Sequence, residues 1–225
     1  MASSAPAAVP KPKRQASTLN KSYLVLYNVA SAAAWSVVLG RTVSLLGQQG
    51  PQAVYPGVGE WTKWTQTAAA MEILHSLFGV VRAPLLTTLA QVASRLLLVW
   101  PIVDVFPYLA LQPWYSSMLI AWSVTEVIRY SFFALSISGF QPWFLTWLRY
   151  STFYVLYPIG ITSECNLIWR AIEPARQLDR AYPWAIYGIL LIYVPGTCSF
   201  ILFTHMMSQR RKTMRNHKAQ SGKSQ

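Results

Sequence analysis

Three residues with acid and base side chains recur at intervals of seven in one apolar stretch of the sequence. They are Tyr150, Tyr157 and Glu164, and their neighbours are mostly aromatic and aliphatic. On an α-helix of about 3.6 residues per turn, a step of seven returns to within roughly 20° of the same face. A phenol and a carboxylate on one face are suited to act as proton donor and proton acceptor in acid/base catalysis.

Pro158 and Gly160 lie between Tyr157 and Glu164 and affect the distance between these side chains. In a straight helix the pair would be about 10 Å apart along the axis, because each residue adds about 1.5 Å. Proline lacks the amide N–H, and glycine leaves helical geometry easily. We therefore expect the helix to kink or end here, which would bring the phenol and the carboxylate together.

A carboxylate within or beside a membrane span has two interpretations. Charged groups in a span are costly and usually face a protein interior or a wet cavity, which favours a functional site at Glu164. The alternative is an interfacial belt of tyrosines, with Glu164 in the headgroup region. The residue pattern alone is compatible with both.

The composition is that of a membrane protein. The 225 residues are 53% hydrophobic and 12% charged, and mean hydropathy is +0.30. A soluble domain carries about 25% charged residues, so the chain is too apolar for that class. We expect an all-α, polytopic bundle of six transmembrane helices.

The apolar segments and the basic tails divide the chain into three parts. A disordered basic tail is expected at 1–21, a transmembrane catalytic domain at 22–207, and a basic cytosolic tail at 208–225. An even number of spans places both tails on one side, and their lysines and arginines indicate the cytosol. Residues 47–63 are expected to form a luminal loop. The six spans are expected at 23–46, 64–81, 86–110, 114–135, from 143 through the central helix, and at 183–206.

The formal net charge of +12 is largely a property of the two tails. The core between them has neither a basic stripe nor a nucleic-acid-binding motif, so nucleic acid is excluded as a partner. The two cysteines, Cys165 and Cys198, are too few for a disulfide framework and are interpreted as free thiols.

Several charged residues interrupt the apolar segments and must find partners. Glu126, Arg129 and Tyr130 share one helical side, which permits a local Glu126–Arg129 ion pair. Arg95 and Asp104 fall on opposite faces, so each needs a partner from another helix. Glu72 and His75 form an E-x-x-H pair, which is a fragment of a di-iron motif. A structural role is favoured for this pair because the other ligands of such a site are missing.

Four segments of the sequence together resemble one known family. They are YPIGITSE from Tyr157, MEILHSLFGVVRAP from Met71, SRLLLVWPIVDVFP from Ser94 and WSVTEVIRYSFFAL from Trp122. The family is that of the very-long-chain (3R)-3-hydroxyacyl-CoA dehydratases, also called protein tyrosine phosphatase-like proteins. The resemblance implies that Tyr157 and Glu164 are the catalytic pair. It also implies an enzyme of fatty acid elongation in the endoplasmic reticulum membrane, working with a condensing elongase, a ketoacyl reductase and an enoyl reductase.

Dehydration of a 3-hydroxyacyl thioester removes a proton from C2 and expels the C3 hydroxyl as water. One acid and one base suffice, so neither a metal nor a nucleotide cofactor is expected. Glu164 as base and Tyr157 as acid is the favoured assignment, and the reverse relay stays open. Supporting or substrate-positioning roles are expected for Arg95, Glu126, Arg129, Tyr130, Tyr150 and Gly160.

Basic residues near the cytosolic rim are candidates for the phosphates of CoA, because this anionic head cannot follow the acyl chain into hydrocarbon. Their alternative role is to set membrane topology alone. The candidates are Lys21, Arg82, Arg210, Arg211 and Lys212.

Other enzyme classes lack their motifs in this sequence. A cysteine phosphatase needs C-x5-R, but only four residues separate Cys165 from Arg170. A nicotinamide-dependent reductase would carry a glycine fingerprint, and a condensing elongase a histidine box. A non-catalytic membrane scaffold or a lipid transporter is the remaining alternative, because buried charges on several helices also suit a substrate pathway.

Overall fold

The computed structural model describes residues 18–81, 83–193 and 207–215, and the regular structure in them is entirely helical. Two 3-10 turns lie at Pro51–Ala53 and Pro107–Leu111, a π-helical turn lies at Val99–Asp104, and 207–215 are helical. The eight longer helices are α1 (Thr18–Gln49), α2 (Val54–Ala68), α3 (Ala70–Leu77), α4 (Leu85–Leu98), α5 (Pro113–Ile137), α6 (Trp143–Ser151), α7 (Phe153–Leu178) and α8 (Tyr182–Tyr193).

Three helical stretches of the described chain are long and apolar enough to cross a membrane. They are Thr18–Gln49, Leu85–Asp104 and Pro113–Ile137, with mean hydropathies of 1.5, 1.5 and 1.3. Large apolar side chains such as Leu86 and Phe78 point outward, 80% and 74% exposed. An outward-facing apolar surface of this kind suits contact with lipid, as expected for a membrane protein.

The centre of the bundle is an antiparallel pair formed by α1 and α5. Tyr27 near the start of α1 lies edge-on to Tyr130 near the end of α5, with ring centroids 6.1 Å apart. Trp35, Met118 and Trp122 are almost fully buried within the same core. This pairing gives α5 a protein environment on its inner side, which is where the charged residues of that helix lie.

The predicted luminal loop at 47–63 is wrong for most of its length. Gly50 turns the chain with φ of 85°, and helical structure resumes at Pro51. Proline is tolerated in the first turn of a helix, where its missing N–H would have no partner, so Pro51 and Pro56 begin helices instead of breaking them. Helix α2 thus starts about ten residues before the expected span.

The span expected at 86–110 consists of three helical segments of different type and is not one regular α-helix. α4 gives way at Leu98 to the π-helical turn Val99–Asp104, which contains Pro101. Proline removes one N–H from the i to i−4 hydrogen-bond pattern, so a regular α-helix is interrupted where Pro101 stands.

Helix α7 continues from Phe153 to Leu178 with Pro158 inside it. Of the two expectations for this stretch, a kink or an end, the end between Tyr157 and Glu164 is therefore wrong. The break lies earlier, at Thr152, where α6 ends. Packing explains this, because Gly160, Ser163 and Leu167 are buried along one side of α7 and hold the helix beyond the proline. Tyr150 consequently lies on a different helix from Tyr157.

Some expectations fall partly or wholly outside the described residues. Helix α1 begins at Thr18, so the last four residues of the tail predicted at 1–21 are helical. Helix α8 covers the first half of the span expected at 183–206, and 194–206 lie outside the described chain. The same is true of Arg82 and of 216–225, whereas 208–215, assigned to the C-terminal tail, are helical.

Candidate active site

Glu164 lies inside the protein, between α7 and α5. It is 9% exposed, and its Oε1 accepts a hydrogen bond of 2.7 Å from the indole Nε1 of Trp122, which is 2% exposed. A hydrogen bond from a neutral donor to an ionised carboxylate is stronger than one between neutral groups, and more so in a buried setting. Glu164 therefore lies in a protein interior, the surroundings that the functional-site interpretation expects.

Small residues let α5 and α7 approach each other around this carboxylate. A Cβ placed on Gly160 would lie 3.7 Å from Glu164 Oε1 and 3.8 Å from the Cβ of Ala121, so glycine leaves a narrow space between the helices. One residue before Glu164, the Ser163 hydroxyl lies 2.7 Å from that of Ser117 on α5. These contacts fix the register of the two helices at the site.

Tyr157 is half-buried and stands on the same uninterrupted helix as Glu164. Because α7 does not end between them, the two residues keep the helical separation of about 10 Å along the axis. Their common face remains, since seven residues complete nearly two turns. The arrangement provides two polar groups on one face of α7.

A cluster of four charged residues joins α3, α4 and α5 beside this site. Arg129 binds Glu72 through two hydrogen bonds of 2.8 Å, from Nη1 and Nη2, and reaches Glu126 at 2.6 Å. Arg95 pairs with the other oxygen of Glu126. We call Glu72, Arg95, Glu126 and Arg129 the ionic cluster. The predicted Glu126–Arg129 pair is confirmed, and so is the partner for Arg95 on another helix.

Aromatic residues surround the cluster and use its remaining hydrogen-bonding capacity. The Tyr130 hydroxyl donates to Glu72 Oε1, and the Tyr23 hydroxyl is 2.8 Å from His75 Nε2. The E-x-x-H pair is thus engaged in contacts between helices, as the sequence favoured. Within the described residues, no group of three or more histidine, cysteine, aspartate or glutamate side chains is arranged to hold a metal ion.

Arg95 connects the ionic cluster to Glu164 through Trp122. Its guanidinium carbon lies 4.9 Å from the centre of the indole ring, and the indole N–H donates to Glu164. A cation over an aromatic face is stabilised by the negative potential of that face, most strongly for tryptophan. The cluster therefore contacts the candidate catalytic carboxylate through one intervening side chain.

A second ionic group lies beyond the C-terminal end of α4, at the end of the π-helical turn. Lys63 on α2 forms a hydrogen bond of 2.8 Å with Asp104 in the π-helical turn and a salt bridge of 2.7 Å with Glu60. Asp104 thus finds the partner on another helix that the sequence required. This group joins α2 to the end of α4, far in sequence from Tyr157 and Glu164.

The candidate rim residues occupy two helices where they are described. Lys21 is exposed near the start of α1. Arg210 Nε lies 3.4 Å from the Ser151 hydroxyl, and its guanidinium is 5.5 Å from the ring centre of Tyr154. Arg211 and Lys212 are exposed on the same 207–215 helix. The basic helix therefore packs at the junction of α6 and α7, one to two turns before Tyr157.

Tyr150 is placed apart from Glu164 by the break at Thr152. It is half-buried on α6, where the Arg149 guanidinium lies 5.8 Å from the centre of its ring. Arg149 also lies over Phe132 and Phe133 of α5, at 4.6 and 4.4 Å. These contacts indicate that this part of α6 packs against the end of α5.

Sequence reasoning missed Trp122 and Ser117 as neighbours of the site. Both lie on α5, and Trp122 stands four residues before Glu126, which places it on the charged side of that helix. That spacing was a usable signal, because a tryptophan on the charged side of a membrane helix brings an N–H donor to buried acceptors.

The fold and this buried carboxylate place the chain among membrane-embedded helical proteins with a polar site. Residues 66–216 match the family model described as protein tyrosine phosphatase-like protein, PTPLA, and the chain belongs to that family. No solved structure matches it.

Curated relatives extend the match over most of the chain. A Schizosaccharomyces pombe protein named probable very-long-chain (3R)-3-hydroxyacyl-CoA dehydratase is 44% identical, covering 84% of this chain and 91% of its own. The rice protein PASTICCINO 2B, named as a very-long-chain (3R)-3-hydroxyacyl-CoA dehydratase, is 41% identical over 90% and 97%. Human very-long-chain (3R)-3-hydroxyacyl-CoA dehydratase 2 is 33% identical over 87% and 82%.

Proposed function

We propose that this protein dehydrates very-long-chain (3R)-3-hydroxyacyl-CoA to the trans-2-enoyl-CoA, as a hydro-lyase of the fatty acid elongation cycle. The observation that carries the proposal is the buried Glu164 carboxylate, hydrogen-bonded to Trp122 and on the same face of α7 as Tyr157. The family match and the dehydratase names of relatives 33–44% identical to this chain support the same activity.

The reaction needs one base and one acid, and the site offers both. We assign removal of the C2 proton to Glu164 and protonation of the departing C3 hydroxyl to Tyr157. The C2–H and C3–O bonds break, the C2–C3 double bond forms, and water leaves. Glu164 ends with one proton more and Tyr157 with one fewer, so a single net proton transfer restores the enzyme. Both side chains must therefore reach two adjacent carbons of the substrate, and their common face of α7 directs them toward the same space.

We further propose that the chain crosses the membrane six times, with both tails in the cytosol. The crossings would be α1, α2 with α3, α4 with the π-helical turn, α5, α6 with α7, and α8 with the segment that follows it. Contacts between neighbouring elements support alternating directions: Tyr23 at the start of α1 meets His75 at the end of α3, and Lys63 meets Asp104. The basic residues of both ends favour the cytosol, and the elongation cycle favours the endoplasmic reticulum.

The acyl chain and the CoA head would then occupy different environments. The acyl chain would lie among the helices near α5 and α7, while the phosphates stay at the cytosolic rim. Partner enzymes of the cycle would supply the 3-hydroxyacyl-CoA by reduction of a ketoacyl-CoA and consume the enoyl-CoA by a further reduction.

The test is turnover by the purified full chain in detergent, with a long-chain (3R)-3-hydroxyacyl-CoA as the sole substrate. We expect loss of the substrate and stoichiometric formation of the trans-2-enoyl-CoA. A transporter or scaffold would leave the hydroxyacyl-CoA unchanged, and this result would overturn the proposal. Because hydration of the enoyl-CoA is the reverse reaction, an active enzyme must also convert added enoyl-CoA to the same equilibrium mixture.

A further inference from the structure

The side chain of Trp122 on α5 contacts both the ionic cluster and Glu164. Its Nε1 donates to Glu164 Oε1 at 2.7 Å, and the guanidinium of Arg95 lies 4.9 Å from its ring centre. The indole is 2% exposed, so water does not compete for the N–H. A hydrogen bond in such a setting orients the carboxylate.

The indole itself is held in place by charges on three helices. Arg95 on α4 is fixed by Glu126 on α5. Glu126 is in turn paired with Arg129, and the latter is held by two hydrogen bonds to Glu72 on α3. Each carboxylate of the ionic cluster therefore contacts an arginine. These ion pairs therefore hold Arg95 against one face of the Trp122 indole.

The carboxylate also lies close to the backbone of its own helix. A Cβ at Gly160 would stand 3.7 Å from Glu164 Oε1, so the oxygen that accepts from Trp122 is the one that faces Gly160. The hydrogen bond from Trp122 fixes the position of this oxygen. A general base must be held within hydrogen-bonding reach of the proton it takes, and an immobilised oxygen meets this requirement.

We propose that Trp122 is a positioning residue for the dehydration, which holds Glu164 through its indole N–H and is itself held by Arg95. The inference rests on the proposed function, because it assigns Trp122 a role only through Glu164. It also explains why the ionic cluster lies next to the site without placing any of its members on the substrate.

The first test compares two substitutions that each remove one indole N–H from a membrane helix. Trp122→Phe removes the donor to Glu164, whereas Trp100→Phe removes a donor to the Thr67 hydroxyl, 3.1 Å away, at the other ionic group. We expect Trp122→Phe to lower kcat on the order of tenfold or more with KM changed less than about twofold, as for loss of a charge-assisted hydrogen bond. Trp100→Phe should leave both constants within about twofold of those of the unmodified protein.

A second substitution keeps the test valid if Trp122→Phe destabilises the fold. Replacing Trp122 with β-(3-benzothienyl)alanine puts sulfur in place of the N–H and keeps the size and aromatic face of the ring. The same fall in kcat is expected, with a thermal unfolding midpoint equal to that of the unmodified protein. Normal kcat for this variant would overturn the inference.

A double substitution separates positioning through Glu164 from a general structural effect. In the Glu164→Gln protein, Trp122→Phe should lower the residual rate less than about twofold, because its partner carboxylate is already gone. An additional loss as large as in the unmodified background would overturn the inference. If Glu164→Gln alone turns over normally, the catalytic role of Glu164 fails and the role of Trp122 fails with it. If Glu164→Gln is inactive and Trp122→Phe is normal, only the inference about Trp122 fails.

Discussion

Arg129 donates two hydrogen bonds of 2.8 Å to the carboxylate of Glu72, which lies 57 positions earlier in the sequence. The guanidinium also neutralises Glu126, so a single cation serves two carboxylates, of which Glu126 is buried and Glu72 half-buried. This geometry is the bidentate arrangement that arginine, and not lysine, provides. It ties the short helix α3 to α5 and explains how three charged residues are tolerated in this part of the bundle.

Arg129→Ala is expected to damage folding more than any direct step of catalysis. Removing the cation takes the bidentate partner from Glu72 and leaves Glu126 with Arg95 as its remaining cation, and loss of one partner of a buried pair costs about 3–5 kcal/mol. Thermal unfolding of the detergent-solubilised protein measures the effect. Arg176→Ala is the matched control, because Arg176 pairs with Glu173 where both side chains are largely exposed, 55% and 76%, and such pairs contribute about 1 kcal/mol or less. Unchanged stability of Arg129→Ala with lost turnover would instead place Arg129 in the active site.

Substitutions at Gly160 should reduce turnover in order of their size. An alanine Cβ fits at ordinary contact distance, 3.7 Å from Glu164 Oε1 and 3.8 Å from the Ala121 Cβ, whereas the further carbons of leucine would push α7 away from α5. We expect Gly160→Leu to lose at least about tenfold more activity than Gly160→Ala. Assays of both variants at equal amounts of folded protein test this. Equal activities would show that the narrow space at Gly160 has no part in holding Glu164.

Neutralising the basic 207–215 helix should weaken binding of the CoA ester. Replacing Arg210, Arg211 and Lys212 by glutamine is expected to raise KM, most strongly at low salt, while kcat changes little. Arg176→Gln with Arg180→Gln is the control, since Arg176 lies roughly 37 Å along the helical path from Ser151, at about 1.5 Å per residue. The test is the KM for the CoA ester, measured for both sets of substitutions at several ionic strengths.

The opposite outcome of that experiment would change the direction of substrate access. If the control pair raises KM and the 207–215 substitutions do not, the CoA head binds at the far end of α7. A cysteine-accessibility map in which the surroundings of Glu164 open only to the lumen would lead to the same conclusion.

The sequence predicted the helical class and the main charged contacts because these follow from local spacing and from the cost of burying charge. The Glu126–Arg129 pair is an i, i+3 contact on one helix. The need of Arg95 and Asp104 for partners on other helices follows from their apolar surroundings. In contrast, the identity of those partners depends on which helices pack together, and the spacing of residues within one helix does not contain this information.

The errors came from treating proline and glycine as breaks. Pro51 and Pro56 begin helices, and Pro158 lies inside α7, whose buried side holds the helix together beyond it. Tertiary packing thus outweighed the local preference. Trp122 was overlooked for a related reason, since a tryptophan in an apolar helix is ordinarily core, and only the approach of α7 gives its N–H an acceptor.

The most direct test of the account is the dehydration rate of Tyr157→Phe and of Glu164→Gln beside Tyr150→Phe. Tyr150 is the matched control, because it is a tyrosine seven residues before Tyr157 but lies on α6, beyond the break at Thr152. We predict that Tyr157→Phe and Glu164→Gln each lower kcat/KM about a hundredfold or more, with the protein folded and inserted in membranes, while Tyr150→Phe has a smaller effect. Near-normal turnover by either of the first two variants would remove that residue from catalysis, and a larger loss in Tyr150→Phe would place the site elsewhere.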